Sequence, residues 1–266
     1  MNKKFQTVKI LGVPITVDKS DVILEYIHQT IKNSSQKIFI TTPNPEILVY
    51  AHQHPNYKAI LSEADIALPD GIGLKLATNE LKKRITGTDF MLDLCKDSVK
   101  SNVSIGLLGG RHGVASMTAE CLRDLYPGIN ISLIAEQPPE DWFALKSKRG
   151  KVRDATRNNT ENKHSPAFKI PFSHPVPDIL FVAFGFPKQE EWIVKNLDEL
   201  PVRVAMGVGG AFDYISGNVP RAPKFIRNIG FEWLYRLIRE PWRWKRQLAL
   251  PEFIILILKE KFNYSK

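Results

Sequence analysis

The sequence of 266 residues is poor in cysteine and has no long apolar run. Its two cysteines, Cys95 and Cys121, belong to no C-x-x-C pair. A disulfide scaffold and a structural zinc site are therefore excluded, and we interpret the cysteines as reduced thiols of a cytoplasmic protein. The longest fully apolar run covers residues 253–258, whereas a membrane-spanning helix requires about 18 residues or more. We expect no membrane span.

Signatures of secretion and of common catalytic or metal sites are missing too. The first residues lead into a short β-like segment and not into the apolar region of a signal peptide. Neither a G-x-S-x-G elbow nor a D-x-D triplet, which holds a metal-bound nucleotide diphosphate in many sugar transferases, occurs. His52 and His54 lack the spacing of metal ligands on a helix. We therefore expect no metal or other cofactor, so that arginine, lysine and backbone dipoles must offset any phosphate charge.

Positive charge is concentrated in two segments. The net charge is +9, of which residues 221–266 carry +7 and residues 146–165 carry +5, which leaves −3 on the rest of the chain. A near-neutral body with two basic segments attracts polyanions to particular places. Nucleic acid and an anionic membrane surface are both candidate partners.

Short apolar segments alternate with helical segments along the chain. The predicted strands cover residues 38–40, 104–108, 129–135, 178–183 and 202–206. Their lack of apolar–polar alternation is typical of strands covered on both faces. The pattern predicts an α/β protein with a Rossmann-like, largely parallel sheet flanked by helices.

Two places interrupt this rhythm. Residues 146–165 contain only Val152 and Ala155 as aliphatic residues, too few to offset the entropy of ordering, so we expect a basic, flexible insertion. Near Asn218 the sheet pattern gives way to an aromatic, arginine-rich tail. We predict an α/β domain over residues 1–217 and a basic, amphipathic helical appendage over residues 218–266.

Two loops that follow predicted strands carry polar groups suited to a ligand. Ligands of open α/β sheets bind outside the carboxyl ends of the strands. The first loop contains Thr42 and Asn44 next to a predicted helix start, where a sugar or phosphate can bind, although helix capping explains the same residues. The second places Asp70 between Pro69 and Gly71 in an apolar stretch. A carboxylate in such surroundings is suited to act as a general base, although Pro-Asp-Gly is also a common turn.

Two further loops have a strand–glycine turn–helix pattern. Gly109 and Gly110 lie before a predicted helix, where backbone N–H groups favour a nucleotide phosphate. Glu136 follows at a distance that suits a ribose-binding acid, although the G-x-G-x-x-G fingerprint is incomplete. In the last loop, Lys188 and Gln189 fall in the first turn of a helix and are candidates for contact with an anionic or sugar ligand.

The tail has the composition of a helix that lies in a membrane interface. Arg236, Arg239, Arg243 and Arg246 are spaced three, four and three residues apart, which predicts one stripe on a helix. Pro241 must kink or restart that helix. Tryptophan, tyrosine and aliphatic residues lie between the arginines, which favours membrane binding over nucleic-acid binding without excluding the latter.

Together these segments resemble the WecG/TagA/CpsF family of bacterial glycosyltransferases, glycosyltransferase family 26. The matching pieces follow one another over most of the chain and are Thr42-Pro43-Asn44, Leu68-Pro69-Asp70-Gly71-Ile72-Gly73, Arg84-Ile85-Thr86-Gly87-Thr88-Asp89, Gly185-Phe186-Pro187-Lys188-Gln189-Glu190, Gly207-Val208-Gly209-Gly210-Ala211-Phe212-Asp213, Arg221-Ala222-Pro223, Glu232-Trp233-Leu234-Tyr235-Arg236-Leu237 and Glu240-Pro241-Trp242-Arg243.

The resemblance implies an inverting enzyme of surface-glycan or teichoic acid synthesis. It would transfer a hexose or N-acetylhexosamine from a UDP-sugar to an undecaprenyl-diphosphate-linked acceptor at the inner face of the cytoplasmic membrane. Asp70 would be the base, Thr42, Asn44, Arg84 and Gln189 would line the active site, and Arg236, Arg243 and Arg246 would engage the lipid diphosphate. An NAD(P)-dependent oxidoreductase and a basic nucleic-acid-binding module stay open as alternatives, and the sequence leaves the sugar and the formation of a homo-oligomer undetermined.

Overall fold

A computed structural model describes residues 5–81, 84–138 and 176–264. Its centre is a six-stranded sheet of the strands β3 (Ile38–Thr41), β4 (Ile66–Ala67), β5 (Ile105–Gly109), β6 (Ile131–Ala135), β7 (Ile179–Ala183) and β8 (Val204–Gly207). The strands lie in the order β4-β3-β8-β7-β5-β6, and all neighbouring strands are parallel. A separate antiparallel hairpin consists of β1 (Thr7–Ile10) and β2 (Val13–Thr16). The predicted α/β architecture with a parallel sheet is confirmed.

Helices connect the strands and cover the sheet. The helices before β8 are α1 (Ser20–Asn33), α2 (Pro45–Gln53), α3 (Pro55–Ser62), α4 (Leu74–Ala77), α5 (Gly87–Ser101), α6 (Val114–Leu125) and α7 (Lys188–Asn196). After β8 follow α8 (Ala211–Ile215), α9 (Lys224–Asn228), α10 (Glu232–Arg239), a 3-10 helix (Pro241–Arg243), α11 (Trp244–Gln247) and α12 (Ala249–Tyr264).

Consecutive residues of the central strands pack on opposite faces of the sheet. In β7, Phe181 belongs to the apolar cluster that includes Ile23 of α1 and Phe90 of α5. Its neighbour Val182 belongs to the cluster on the other face, with Ile193 of α7. Because helices cover both faces of the sheet, neither face of a central strand is exposed to water. The strands therefore lack the apolar–polar alternation of half-exposed strands, which explains the unbroken apolar runs of the sequence.

Strand β6 is shorter than the prediction of residues 129–135. Ile129 donates its backbone N–H to the Tyr126 carbonyl at 3.0 Å, and Gly128 has a φ of +89°. The chain is therefore still turning after α6 at Ile129, and the strand begins at Ile131.

The C-terminal residues form several short helices and one longer one. Pro241 begins a 3-10 helix after α10, so the helix restarts there, which is one of the two outcomes predicted for this proline. Arg236 and Arg246 consequently lie on different helices. Helix α12 packs on α2 and buries Phe253 and Ile257 completely or nearly so. Part of the six-residue apolar run is therefore core.

Two sequence-based predictions about organisation stay predictions. The boundary between residues 217 and 218 is not decided by these contacts, and the basic insertion over residues 146–165 lies outside the described residues. Among the residues that are described, no helix is long and apolar enough to cross a membrane.

Candidate active site

A cavity of about 730 Å³ lies at the carboxyl ends of the parallel strands. Loops after β3, β4, β5, β7 and β8 form its walls, and residues of α10, α11 and α12 close it from the C-terminal side. Its size is within the usual range of small-molecule and cofactor sites, about 300–1,000 Å³. The location is the one at which open α/β sheets bind ligands.

Backbone hydrogen bonds hold the exits of β3 and β4 together. Leu68 donates its N–H to the Thr41 carbonyl at 2.8 Å, and Asp70 donates its N–H to the Pro43 carbonyl at 3.0 Å. The loop with Thr42 and Asn44 is therefore brought against the loop that carries Asp70. All three side chains line the cavity.

Asp70 is a carboxylate that lines the cavity. Burial raises its pKa from 3.8 to about 6, the Gly87 N–H and the Arg84 guanidinium oppose this, and the Glu232 carboxylate adds to it. The simplest structural role for Asp70 would be to cap the helix that follows it. It does not cap α4, because the N-cap of that helix is Gly73. A carboxylate with a pKa near 6 is ionised at neutral pH and remains a stronger base than an ordinary aspartate.

Asn44 caps a helix and also lines the cavity. Its Oδ1 accepts a hydrogen bond from the Ile47 N–H at 2.9 Å and so caps α2, which has Pro45 in its first turn. Because Oδ1 is the acceptor of the cap, the amide Nδ2 is the group available to a ligand. Thr42 is packed against the start of α5, where a Cβ on Gly87 would come within 2.9 Å of its methyl group.

Arg84 is oriented by the C-terminal segment. Its guanidinium donates a hydrogen bond to the Arg227 carbonyl at 2.6 Å. The Arg227 side chain contacts Asp89 at 3.3 Å, and Asp89 also accepts a hydrogen bond from Arg221 at 2.7 Å. Burial disfavours a charged Asp89, yet the bonds from Arg221 and Thr86 outweigh it and lower its pKa.

Gln189 closes the side of the cavity next to β8. It is only 2% exposed, and its Oε1 accepts a hydrogen bond from the Gly209 N–H at 3.0 Å. A Cβ on Gly207 would lie 2.8 Å from the Gln189 Nε2 atom, so only glycine leaves room for this amide. The neighbouring Lys188 is exposed and does not line the cavity.

Two of the predicted lipid-diphosphate arginines reach the same cavity. Arg236 donates to Glu240 at 2.7 Å, and its guanidinium carbon lies 4.9 Å from the centre of the Tyr214 ring. Arg246 donates to Glu46 on α2 at 2.6 Å. Arg243 ends the 3-10 helix, and its side chain lies outside the described part of the structure.

The glycine turn after β5 departs from the prediction in part. Gly110, Arg111 and His112 line the cavity, whereas Gly109 and Glu136 are not among the described residues that do. Gly109 lies under the β7 exit, where a Cβ would come within 2.8 Å of the Ala183 backbone. The Glu136 carboxylate accepts a hydrogen bond from the Gly113 N–H at 2.7 Å. It stabilises the turn there, and a ribose contact is not supported.

Sequence reasoning missed residues that act on the site through other side chains. Glu232 lines the cavity and accepts a hydrogen bond from Arg221 at 3.1 Å. Glu190 is 1% exposed and contacts both Gln189 and Tyr57. The signal available for Glu190 was its place in an acidic pair at the start of a helix, which usually indicates only a favourable helix dipole.

Metal ligands do not cluster in the described part of the chain. Over residues 5–81, 84–138 and 176–264, no group of three or more histidine, cysteine, aspartate or glutamate side chains could hold a metal ion. The expectation of a reaction without a metal or another cofactor stays a prediction.

The sequence model of the glycosyl transferase WecG/TagA/CpsF family matches residues 8–266. The chain belongs to this family. Membership makes the protein a glycosyltransferase, in place of the oxidoreductase and the non-enzymatic module that the sequence left open. The resemblance drawn from the loop motifs is thereby confirmed.

Relatives of this family member carry the name N-acetylglucosaminyldiphosphoundecaprenol N-acetyl-beta-D-mannosaminyltransferase. The protein of Bacillus spizizenii is 36% identical over 247 residues, which cover 91% of this chain and 87% of that protein. The protein of Bacillus subtilis (strain 168) is 32% identical over 262 residues, 97% of this chain and 93% of that protein. A Staphylococcus aureus protein (strain MRSA252) is 31% identical over 264 residues, 97% and 95% respectively.

Proposed function

We propose that this WecG/TagA/CpsF glycosyltransferase transfers an N-acetylmannosaminyl group from a UDP-sugar to an undecaprenyl-diphosphate-linked N-acetylglucosamine. The names of the relatives support the acceptor and the sugar. The observation that carries the chemistry is Asp70, a carboxylate with a pKa of about 6 on the wall of a cavity that also contains arginine side chains.

Asp70 is the general base of the proposed reaction. It removes the proton from the acceptor hydroxyl while that oxygen attacks the anomeric carbon of the donor sugar. The bond from the anomeric carbon to the diphosphate oxygen breaks, the configuration inverts, and UDP leaves with the bonding electron pair. General-base assistance of this kind contributes typically about 10² to 10⁴-fold to the rate.

The charges of the two diphosphates require cationic partners. Arg84 and the turn over residues 110–112 are suited to the departing UDP, since both line the cavity and the turn leads into helix α6. Arg236 and Arg246 come from the C-terminal helices and are suited to the lipid diphosphate. Arg243 belongs to the same proposed group by resemblance.

Exposed apolar side chains support a peripheral position on a membrane surface. On α12, Ile255 is 52% and Leu258 is 49% exposed, and Trp242 and Trp244 before it are 72% and 54% exposed. Such side chains next to arginine and lysine are typical of helices that lie in a membrane interface. A lipid-linked acceptor would then be presented to the cavity from the bilayer.

The test is a transfer assay with a short polyprenyl-diphosphate-linked N-acetylglucosamine and a panel of UDP-sugars. The panel contains UDP-N-acetylmannosamine, UDP-N-acetylglucosamine, UDP-glucose and the uronic acid of N-acetylmannosamine as its UDP derivative. We expect a disaccharide product from UDP-N-acetylmannosamine and UDP as the co-product. Transfer from another donor would correct the sugar, and no transfer from any donor would overturn the proposal.

A further inference from the structure

A buried carboxyl group lies directly behind the active-site residue Gln189. Glu190, in the first turn of α7, is 1% exposed. Its Oε1 accepts a hydrogen bond from the Gln189 Nε2 at 2.7 Å, and its Oε2 accepts one from the Tyr57 hydroxyl of α3 at 3.1 Å. A carboxylate without a positive partner is costly to bury, and neither of these two partners carries a positive charge.

The hydrogen bonds of Glu190 fix which way the Gln189 amide points. An ionised carboxylate only accepts hydrogen bonds, so it must face the Nε2 group of Gln189. The Oε1 atom of Gln189 then faces the Gly209 N–H, from which it accepts at 3.0 Å. Tyr57, Glu190, Gln189 and Gly209 thus form one chain in which each donor meets an acceptor.

This chain ends in the loop that supports Arg236. Gly209 has a φ of +52°, a left-handed conformation that favours glycine. The next residue, Gly210, lies so close to Arg236 that a Cβ there would be 3.1 Å from its guanidinium. A reversed Gln189 amide would set its Nε2 group against the Gly209 N–H, donor against donor, and displace the loop. The orientation of one amide is therefore coupled to an arginine of the cavity.

We propose that Glu190 is a positioning residue of the transfer reaction, which in its ionised form holds the Gln189 amide and the Gly209 N–H in the arrangement that the cavity requires. This inference rests on the proposed function, because the reaction that needs the arrangement is the proposed one. Glu190 itself contacts neither substrate nor reacting atoms.

The ionisation of Glu190 falls in the neutral range. Burial raises its pKa from 4.5 to about 7, against the hydrogen bonds of Gln189 and Tyr57, and the neighbouring Glu191 adds to the rise. The titratable groups that act on it are Tyr57 on α3, with Tyr50 of α2 behind it, and the exposed Glu191 on its own helix. Lys58, also on α3, lies against Gly12 of the hairpin. Strands β3, β7 and β8, which also pack on α7, contain no titratable residue.

The spectroscopic arm of the test does not depend on turnover. The backbone amide resonance of Gly209 and the side-chain amide resonance of Gln189 are followed by NMR from pH 5.5 to 8.5. We expect both to shift with a midpoint near pH 7 in the wild type and to lose that transition in Glu190→Gln. Tyr57→Phe removes one donor to the carboxylate, so the midpoint should move to higher pH.

The kinetic arm connects the titration with the reaction. Ionisation of Glu190 alone should raise kcat/KM about ten-fold between pH 6 and pH 8. Glu190→Gln should abolish this rise, so that the remaining pH dependence of kcat/KM is the one caused by ionisation of Asp70. The His112 side chain also lines the cavity. His112→Gln is therefore the control, in which the midpoint near pH 7 should persist.

The two arms separate failure of this inference from failure of the proposed function. Gly209 and Gln189 resonances without a transition near pH 7, or a transition that survives in Glu190→Gln, would overturn the positioning role. A normal spectroscopic titration in a protein that transfers no sugar would instead overturn the proposed function. Thermal unfolding of each variant at pH 6 and pH 8 verifies that the protein stays folded.

Discussion

The Asp70 carboxylate accepts a hydrogen bond from the Gly87 backbone N–H, with 3.4 Å between Oδ2 and the nitrogen. This bond joins the loop after β4 to the first turn of α5. The partial positive charge of a helix N-terminus stabilises a carboxylate, while burial acts against it, and the result is a pKa of about 6. Burial outweighs the stabilisation by the helix N-terminus, so the proposed base is stronger than an ordinary aspartate.

Removal of the Asp70 carboxylate should abolish most turnover. We expect Asp70→Asn to lower kcat by about 10² to 10⁴-fold and to leave the affinity for UDP within a few-fold, as measured by calorimetry. Asp97→Asn, at a partly exposed position on α5, is the control and should keep full activity. Near-normal turnover of Asp70→Asn would contradict the role of this residue as the base.

The same substitution should stabilise the fold at high pH. The pKa of Asp70 is raised on folding, so the stability that this group contributes is complete below about pH 4 and is lost as the pH rises through about 6. Asparagine does not ionise. We expect Asp70→Asn to increase the free energy of unfolding by roughly 1 to 3 kcal/mol at pH 8 and hardly at all at pH 4, measured by urea denaturation. An equal effect at both pH values would show that ionisation is not the cause.

The fold and part of the site follow from local features of the sequence, and the rest follows from tertiary contacts. Asn44 and Gln189 were placed at one edge of the sheet because they follow predicted strands, whose carboxyl ends meet there, and Asp70 was singled out as an acid in an apolar stretch. All three line the cavity. Glu136 was predicted to bind a ribose from its spacing alone, whereas in the structure its carboxylate accepts a hydrogen bond from the Gly113 N–H and so stabilises the turn before α6. The restart of the helix at Pro241 was predictable from the proline itself, and it places Arg236 and Arg246 on different helices.

Residues that act through a second side chain received no role from the sequence. Glu190 belongs to a motif, yet its contact with Tyr57 could not be predicted, because the two residues are 133 positions apart. The contact between Arg227 and Arg84 could not be predicted for another reason. The group of Arg227 that accepts the hydrogen bond from Arg84 is its backbone carbonyl, which any residue type supplies. Sequence patterns predict which elements exist, while such contacts depend on how these elements pack.

The ion pairs of Asp89 with Arg221 and Arg227 should couple the C-terminal helices to the active site. Asp89→Asn weakens the bonds to Arg221 and Arg227, whose side chains are 16% and 19% exposed. Because Asp89 is itself 47% exposed, we expect a loss of only about 1 to 2 kcal/mol in the free energy of unfolding. Since Arg84 is held by the Arg227 carbonyl, kcat/KM should fall as well.

Hydrogen exchange locates the effect of Asp89→Asn. Amides in residues 221–239 should exchange faster in this variant, while those of β5 and β7 keep their protection. Asp97→Asn provides the comparison, because its ion pair with Lys100 spans 3.8 Å between side chains that are 41% and 72% exposed. Its stability should change by no more than about 0.5 kcal/mol. Identical exchange in both variants would contradict the coupling.

Membrane binding should depend on side chains that the fold leaves exposed. Deletion of residues 218–266 is a poor test, because Phe253 and Ile257 of α12 pack in the core with Leu48 of α2, and their loss would unfold more than the surface. Ile255 and Leu258 are 52% and 49% exposed, so the double substitution Ile255→Ser and Leu258→Ser leaves the core intact. Each substituted side chain that no longer enters the bilayer interface should weaken the free energy of membrane binding by roughly 1 kcal/mol or more.

We therefore expect the double variant to bind vesicles of phosphatidylglycerol and phosphatidylcholine at least about ten-fold more weakly than the wild type, measured by co-sedimentation. Leu125→Ser removes an equally exposed apolar side chain from α6 and should bind like the wild type. The thermal midpoint should be nearly the same for all three proteins. If the double variant sediments with vesicles as well as Leu125→Ser does, α12 does not contact the membrane, and the lipid-linked acceptor must reach the cavity in another orientation.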